Sequence, residues 1–157
     1  MNIHSDLNNL MSHLVYTSLA PQKIYSSSLS TSSQSYRRDC DKQIYYYESI
    51  RVKANQSGYY SFRSYSSIDT YGSIYRKTFN PLTPLENFLQ TDDDNNNNLQ
   101  FRLDVRLSGG AAYVLVITTY PLKGMGAFSI VAFGVNTIVF ERLSKYTARR
   151  AWDRGIF

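Results

Sequence analysis

The residues with the greatest capacity for chemistry are a handful of carboxylates and an unusual number of tyrosines. Asp69 opens an alternating segment, and Asp92, Asp93 and Asp94 run consecutively into four asparagines at 95–98. Carboxylate and amide oxygens in that density are hard ligands, which suit Ca²⁺ and hardly suit zinc. Alternate residues of an extended loop point the same way, so Asp92 and Asp94 are expected to converge while Asp93 faces water. Asp69 is the expected ligand from elsewhere in the chain. The spacing is not that of an EF-hand, since it has neither the turn glycine nor the closing glutamate. A solvated acidic turn, built from residues that bond their own backbone, accounts for the same letters.

Catalytic arrangements fare worse. Both histidines, His4 and His13, stand in the N-terminal stretch, so a Ser-His-Asp triad or a His-based metal centre has no histidine at 43–134. Glu48 with Asp69, Asp92 or Asp94 offers a carboxylate pair of glycosidase type, the alternative in which the chain is a fragment of a secreted hydrolase. No Walker loop or dinucleotide fingerprint is present. Cys40 is the lone cysteine and allows neither an internal disulfide nor a CxxC site.

Tyrosine supplies 14 residues, a bias that fits pleated, half-exposed sheet faces. Tyr45, Tyr47, Tyr59 and Tyr71 are expected on the outward faces of the first strands. There they form either a binding face for peptide, collagen or sugar, or a second layer of core.

The elements that must position these residues are strands. Period-two alternation marks 44–52 and 59–64 as a hairpin around Asn55-Gln56-Ser57-Gly58, whose first three residues are also a glycosylation sequon. It recurs at 67–75, 99–107, 112–119 and 128–133. The stretch 112–119 is apolar on both faces, which predicts a central strand. Pro81 and Pro84 exclude a central strand at 79–89, which is expected to cover one open end of a sandwich. Tyr46, Ile50, Phe62, Leu103, Val105, Leu115 and Ile130 are the predicted core between two sheets.

The organisation that follows has three parts: a Ser-rich linker at 1–42 with a short helix near its start, a sandwich at 43–134, and a basic tail at 135–157. Both ends are expected to contribute little to the core. The net charge of +5 comes from those ends, because acidic and basic residues nearly balance within 43–134, and no nucleic-acid groove is implied. No apolar run approaches the roughly 20 residues that span a bilayer, so no membrane insertion is expected. The first residues do not read as a signal peptide, and the chain is either cytoplasmic or a piece of something longer.

The order Asp69-Thr70-Tyr71, Asp92-Asp93-Asp94, Ser108-Gly109-Gly110, Tyr113-Val114-Leu115-Val116 and Gly126-Ala127-Phe128-Ser129 resembles the bacterial pre-peptidase C-terminal domain. Relatives of that family include the collagen-binding domains of bacterial collagenases and modules repeated in invertebrate surface proteins. The resemblance implies a jelly-roll-like antiparallel β-sandwich without catalytic activity, secreted as part of a longer chain. It also lends weight to calcium binding at Asp69, Asp92 and Asp94. The expectation is thus a monomeric accessory module of an extracellular or cell-surface multidomain protein. It would bind a protein or glycan, or act as a spacer.

Overall fold

A computed structural model describes residues 21–38, 43–94 and 98–143. It contains ten strands: β1 (Gln22–Leu29), β2 (Gln34–Arg37), β3 (Ile44–Ala54), β4 (Gly58–Ser66), β5 (Thr70–Arg76), β6 (Phe88–Asp92), β7 (Arg102–Leu107), β8 (Ala112–Thr119), β9 (Gly126–Gly134) and β10 (Ile138–Arg142). No α-helix interrupts them among the described residues. The strands form two antiparallel sheets packed face to face, an all-β sandwich. One sheet has the order β1-β9-β4-β7; the other runs β10-β3-β8-β5-β6, with β2 also pairing β3.

The pairing is nested. β1 pairs β9, β3 pairs β8, β4 pairs β7 and β5 pairs β6, so the chain behaves as one long hairpin rolled into two layers. That is the jelly-roll connectivity, a nested hairpin folded into two facing sheets. β2 and β10 are additions that border the two halves of the long β3.

Alternation decides the layers. In β4, Tyr60, Phe62 and Ser64 turn inward, and in β8, Tyr113, Leu115 and Ile117 do so from the opposite sheet. Ile50, Phe62, Leu103, Leu115 and Ile130 of the predicted core are fully buried, Val105 packs on their margin, and Tyr46 is half-buried. Gly72 lies where β5 passes beneath the buried Phe101 ring: a Cβ there would stand 2.6 Å from two ring carbons.

Several expectations need correction. The Ser-rich stretch is not merely a linker, because β1 and β2 fall within it. β1 alternates Tyr25, Ser27 and Leu29 inward against Ile24, Ser26 and Ser28 outward, and pairs with β9 over its whole length. Serine suffices here because its hydroxyls find partners: Ser26 meets Ser129 at 2.8 Å, and Ser27 donates to Glu48 at 2.8 Å. The basic tail likewise begins with a strand, β10, whose Ile138 is buried and whose Phe140 packs edge-on against Tyr25. Boundaries at 43 and 134 therefore cut through the sandwich. The segment 79–89 does not cap an end, since Leu82, Leu85 and Leu89 are exposed, while Phe79 and the buried Pro84 pack inward and Phe88 meets the edge of Tyr75. Leu99, placed at the start of the predicted strand at 99–107, precedes β7 and is exposed with a left-handed backbone (φ 61°). The predicted N-terminal helix and Cys40 lie outside the described residues.

Two outcomes test this architecture. Deleting residues 1–30 removes the strand that covers one edge of β9, and the remainder should lose cooperative thermal unfolding. A shortened chain melting as sharply as the full one would contradict the role of β1. Gly72→Ala should destabilise by about 1–3 kcal/mol in urea titration, because the Phe101 ring must move to admit a methyl group.

Candidate functional site

Four places in the sandwich gather polar or aromatic groups, and each is built by neighbouring strands. The first lies between the sheets. Glu48 sits on the inward face of β3, only 5% exposed, where an isolated carboxylate would be costly. It is not isolated: the Tyr25 hydroxyl donates to Oε1, while Ser27 and Arg142 donate to Oε2 at 2.8 and 2.9 Å. The group ties β1 of one sheet to β3 and β10 of the other. Burial, then the hydrogen bond to Glu48, drives the Tyr25 phenol well above its ordinary range. With three donors on it, Glu48 serves the packing of the sheets, and its carboxylate is committed before any pairing with another acid.

The second is the acidic end. Asp69 directly precedes β5, and its carbonyl accepts the Tyr120 N–H at 3.1 Å. Burial raises its carboxyl above the ordinary value, and Asp93 and Asp94 push it further, against the opposing pull of Arg38. The loop thus brings Asp93 and Asp94 into the field of Asp69. Asp92 is engaged differently: it ends β6, and its Oδ2 accepts the Arg102 N–H at 2.7 Å, stitching β6 to the start of β7. Asp94 Oδ1 accepts the Leu99 N–H at 3.2 Å. Among the described residues, no three acids, histidines or cysteines stand close enough together to hold a metal ion. Sequence spacing placed Asp92 and Asp94 together with Asp93 outward, whereas the field around Asp69 is shared with Asp93 and Asp94.

The third is the outer surface of the six-stranded sheet, where most of the predicted tyrosine face resides. Tyr45 and Tyr47 are buried there, together with Tyr36, Tyr75, Val114 and Val116, and they are covered by Phe79. Phe79 meets Tyr36, Tyr47 and Tyr75 at ring separations of 4.8–5.3 Å, within the range of favourable edge and tilted contacts. Burial pushes the Tyr47 phenol up to about 12. An accessible face at Tyr45 and Tyr47 is therefore corrected to a second core layer. Tyr71 is half-buried and holds Arg38. The Arg38 guanidinium carbon lies 4.1 Å from the centre of the Tyr45 ring and 4.0 Å from that of Tyr71, and its nitrogens donate to the carbonyls of Thr119 and Tyr120. A cation between two rings in a dry site is strongly favourable. Arg38 escaped the sequence reading because it lies in the stretch taken as linker; its signal was the alternation of Tyr36 and Arg38. Beside it, a cavity of about 50 Å³ is lined by Tyr71, Ser73, Tyr75, Pro84, Leu85 and Phe88, among others.

Tyr59 alone of the four predicted tyrosines is openly accessible, and it belongs to the other sheet. It is 71% exposed on the outer face of β4, opposite Arg106 of β7. Tyr65, 52% exposed, ends the same face of β4, and Ile24, 60% exposed, lies on β1 in register with Val131. Between the tyrosines, Arg63 stands over the Phe133 ring at 5.5 Å and directly across from Arg102. The sequence reading missed Tyr65, Arg63 and Arg102 as one surface, although their period-two positions in β4 and β7 placed them on it.

No protein-family model matches the chain, and no curated protein matches it.

The acidic end yields a test with a definite sign. Asp69 has a raised carboxyl in the folded protein, so the fold binds its proton more tightly than the unfolded chain does. Its contribution is neutral in acid and becomes a penalty as pH rises through the carboxylate range. Asp69→Asn should therefore raise the thermal midpoint at neutral pH, and the gain should disappear at a pH below the ordinary aspartate range. An unchanged midpoint at both values would mean that neither burial nor Asp93 and Asp94 raises the Asp69 carboxyl.

Proposed function

We propose that the chain is a non-catalytic β-sandwich module of an extracellular or cell-surface multidomain protein, and that it binds a protein or glycan. The observation that carries this reading is the outer face of the four-stranded sheet, where Tyr59, Tyr65 and Ile24 lie open beside Arg63, Arg102 and Arg106. Large aromatic and apolar side chains left open on a rigid sheet are the groups that proteins use for contact. The commitment of Glu48 to Tyr25, Ser27 and Arg142, and of Asp92 to the Arg102 backbone, supports a structural use of these acids. Resemblance to the pre-peptidase C-terminal domain supports the same reading, and the jelly-roll connectivity agrees with the fold which that resemblance implies.

Calcium enters as a stabiliser of the acidic end. Of the acids expected to hold it, Asp92 has one oxygen on the Arg102 backbone and Asp94 one on that of Leu99, which leaves each a second oxygen. A hard cation beside Asp69 and Asp94 would relieve the repulsion from Asp93 and Asp94 that adds to burial in raising the Asp69 carboxyl. Such binding would stabilise the fold by mass action, about 2.7 kcal/mol at a hundredfold excess over Kd.

Binding is tested by passing the purified chain over immobilised collagen, mucin and neutral and acidic polysaccharides. Retention on at least one surface is expected. The double variant Tyr59→Ala, Tyr65→Ala should abolish it while leaving the thermal midpoint unchanged, because both side chains are exposed. Cleavage of any of these materials by the chain, or retention indifferent to the tyrosines, would refute the proposal. For calcium, the thermal midpoint in millimolar Ca²⁺ should exceed that in excess chelator; equal midpoints would leave only the solvated turn.

A further inference from the structure

The outer face of the four-stranded sheet has a composition that narrows its partner. Its cations are Arg63, Arg102 and Arg106, and its acid is Asp104. Arg63 and Arg102 are direct cross-strand neighbours, an arrangement of like charges that costs stability. Asp104 offsets part of that cost: Arg102 Nε lies 2.8 Å from its carboxylate. Burial raises the Asp104 carboxyl, but the Ser61 hydroxyl, Arg102 and Arg63 together outweigh burial and hold it below its ordinary value. One acid thus serves two guanidiniums. Arg63 Nε is buried without a hydrogen-bond partner among the described residues, and Arg106 is exposed and makes no ion pair among them. The surplus is positive, and it is set among rings and hydroxyls. Ser26, Ser28 and Ser129 line the β1–β9 side of the face, and Tyr59 and Tyr65 mark the ends of β4.

We infer that this face binds a linear acidic polysaccharide, one bearing uronate carboxylates or sulfate esters on hydroxyl-rich sugar rings. The inference rests on the preceding reading that the face is a binding surface, and adds the class of ligand. Guanidiniums recognise carboxylate and sulfate by paired N–H donors, and tyrosine rings stack on the apolar faces of sugars. Charge spacing favours a polysaccharide over a nucleic-acid strand. Arg102 and Arg106 are four residues apart on one strand, about 13 Å at ~3.3 Å per residue. A nucleic acid carries a phosphate on every residue, and its single-strand binders place aromatic rings for successive bases. Here Ser61 and Arg63 separate the two tyrosines, roughly 20 Å apart along β4, and one acid lies within the patch. That pattern suits sparse anions on a polymer of many hydroxyls.

The test is calorimetric titration of the full chain with size-defined oligosaccharides of chondroitin sulfate and of hyaluronan, with a neutral glucan oligosaccharide and oligodeoxythymidine alongside. Binding of one or both acidic oligosaccharides is expected, weakening as salt rises. Arg102→Gln and Arg106→Gln should each weaken it roughly tenfold, the loss of one charge-assisted contact. Arg76→Gln, on an exposed arginine that ends β5 in the other sheet, should leave it unchanged. If chondroitin sulfate binds and hyaluronan does not, sulfate is the anion read; binding of both assigns the carboxylate. Preference for oligodeoxythymidine would overturn the polysaccharide assignment in favour of a nucleic acid. Retention of the neutral glucan alone, lost in Tyr59→Ala, would overturn the acidic ligand while sustaining the face as a binding surface. Binding of any probe unaffected by every variant on this face would overturn both.

Discussion

The need to cover β8 on both sides governs the rest of the molecule. Its residues from Tyr113 to Thr119 are buried without exception, so neither surface of the six-stranded sheet at its centre can be left to water. The inner side meets the four-stranded sheet through Tyr113, Leu115 and Ile117. The outer side, Val114 and Val116, has no third sheet to cover it. It is closed instead by a layer of rings from β2, β3, β5 and the loop that follows β5, with Phe79 at the centre of the contacts. Most of the tyrosines that looked available for recognition are consumed there. What remains open is the opposite surface of the sandwich, whose own central strands β9 and β4 place Ala127, Ser129, Tyr59 and Tyr65 outward.

Six of the strands were legible because alternation alone determines them. Along β3, β4, β5, β7, β8 and β9 apolar and aromatic residues recur mostly with period two, and a sheet with one side in the core must read that way. Four strands were missed, β1, β2, β6 and β10, and of these β1 and β10 carry the same period in a weaker alphabet. Tyr25, Ser27 and Leu29 alternate as surely as Tyr60, Phe62 and Ser64, but their serines suggest solvent. Composition misleads here because a serine hydroxyl satisfied by another hydroxyl or by Glu48 is at home between layers. For the tyrosines, alternation correctly separated Tyr45 and Tyr47 from Glu48 and Ile50. It could not tell that their side would also be covered, since the cover comes from Tyr36 and Phe79, distant in sequence and close only in the fold.

The acids were legible as a group and not as a geometry. Counting alternate residues from Asp92 assumes one extended conformation through Asp94. The loop departs from it, because Asp92 is still in β6 and Asp94 turns back to the Leu99 amide. Glu48 shows the converse. As a letter it resembled half of a catalytic pair; in place it is a bracket between two sheets. Arg38 belongs with it, a charge made tolerable by ring faces and backbone carbonyls. Both groups spend polar chemistry on fixing the position of chain segments that have little apolar surface of their own.

The pairing of β1 with β9 has a consequence for how the chain reaches its fold. Gln22 is matched with Phe133, so the first strand described has its partner near the opposite end of the sequence. Contacts of such separation form slowly, and during synthesis β1 emerges long before β9 exists. An apolar strand waiting that long would be a hazard, since unpaired strands with high β-propensity recruit one another between chains. The Ser-Ser-Ser run of β1 keeps the waiting segment hydrated, and its stickiness is acquired only when Glu48 and Ser129 arrive to satisfy those hydroxyls. The composition that disguised β1 as a linker is therefore the one that lets it remain harmless on the ribosome until the roll can close.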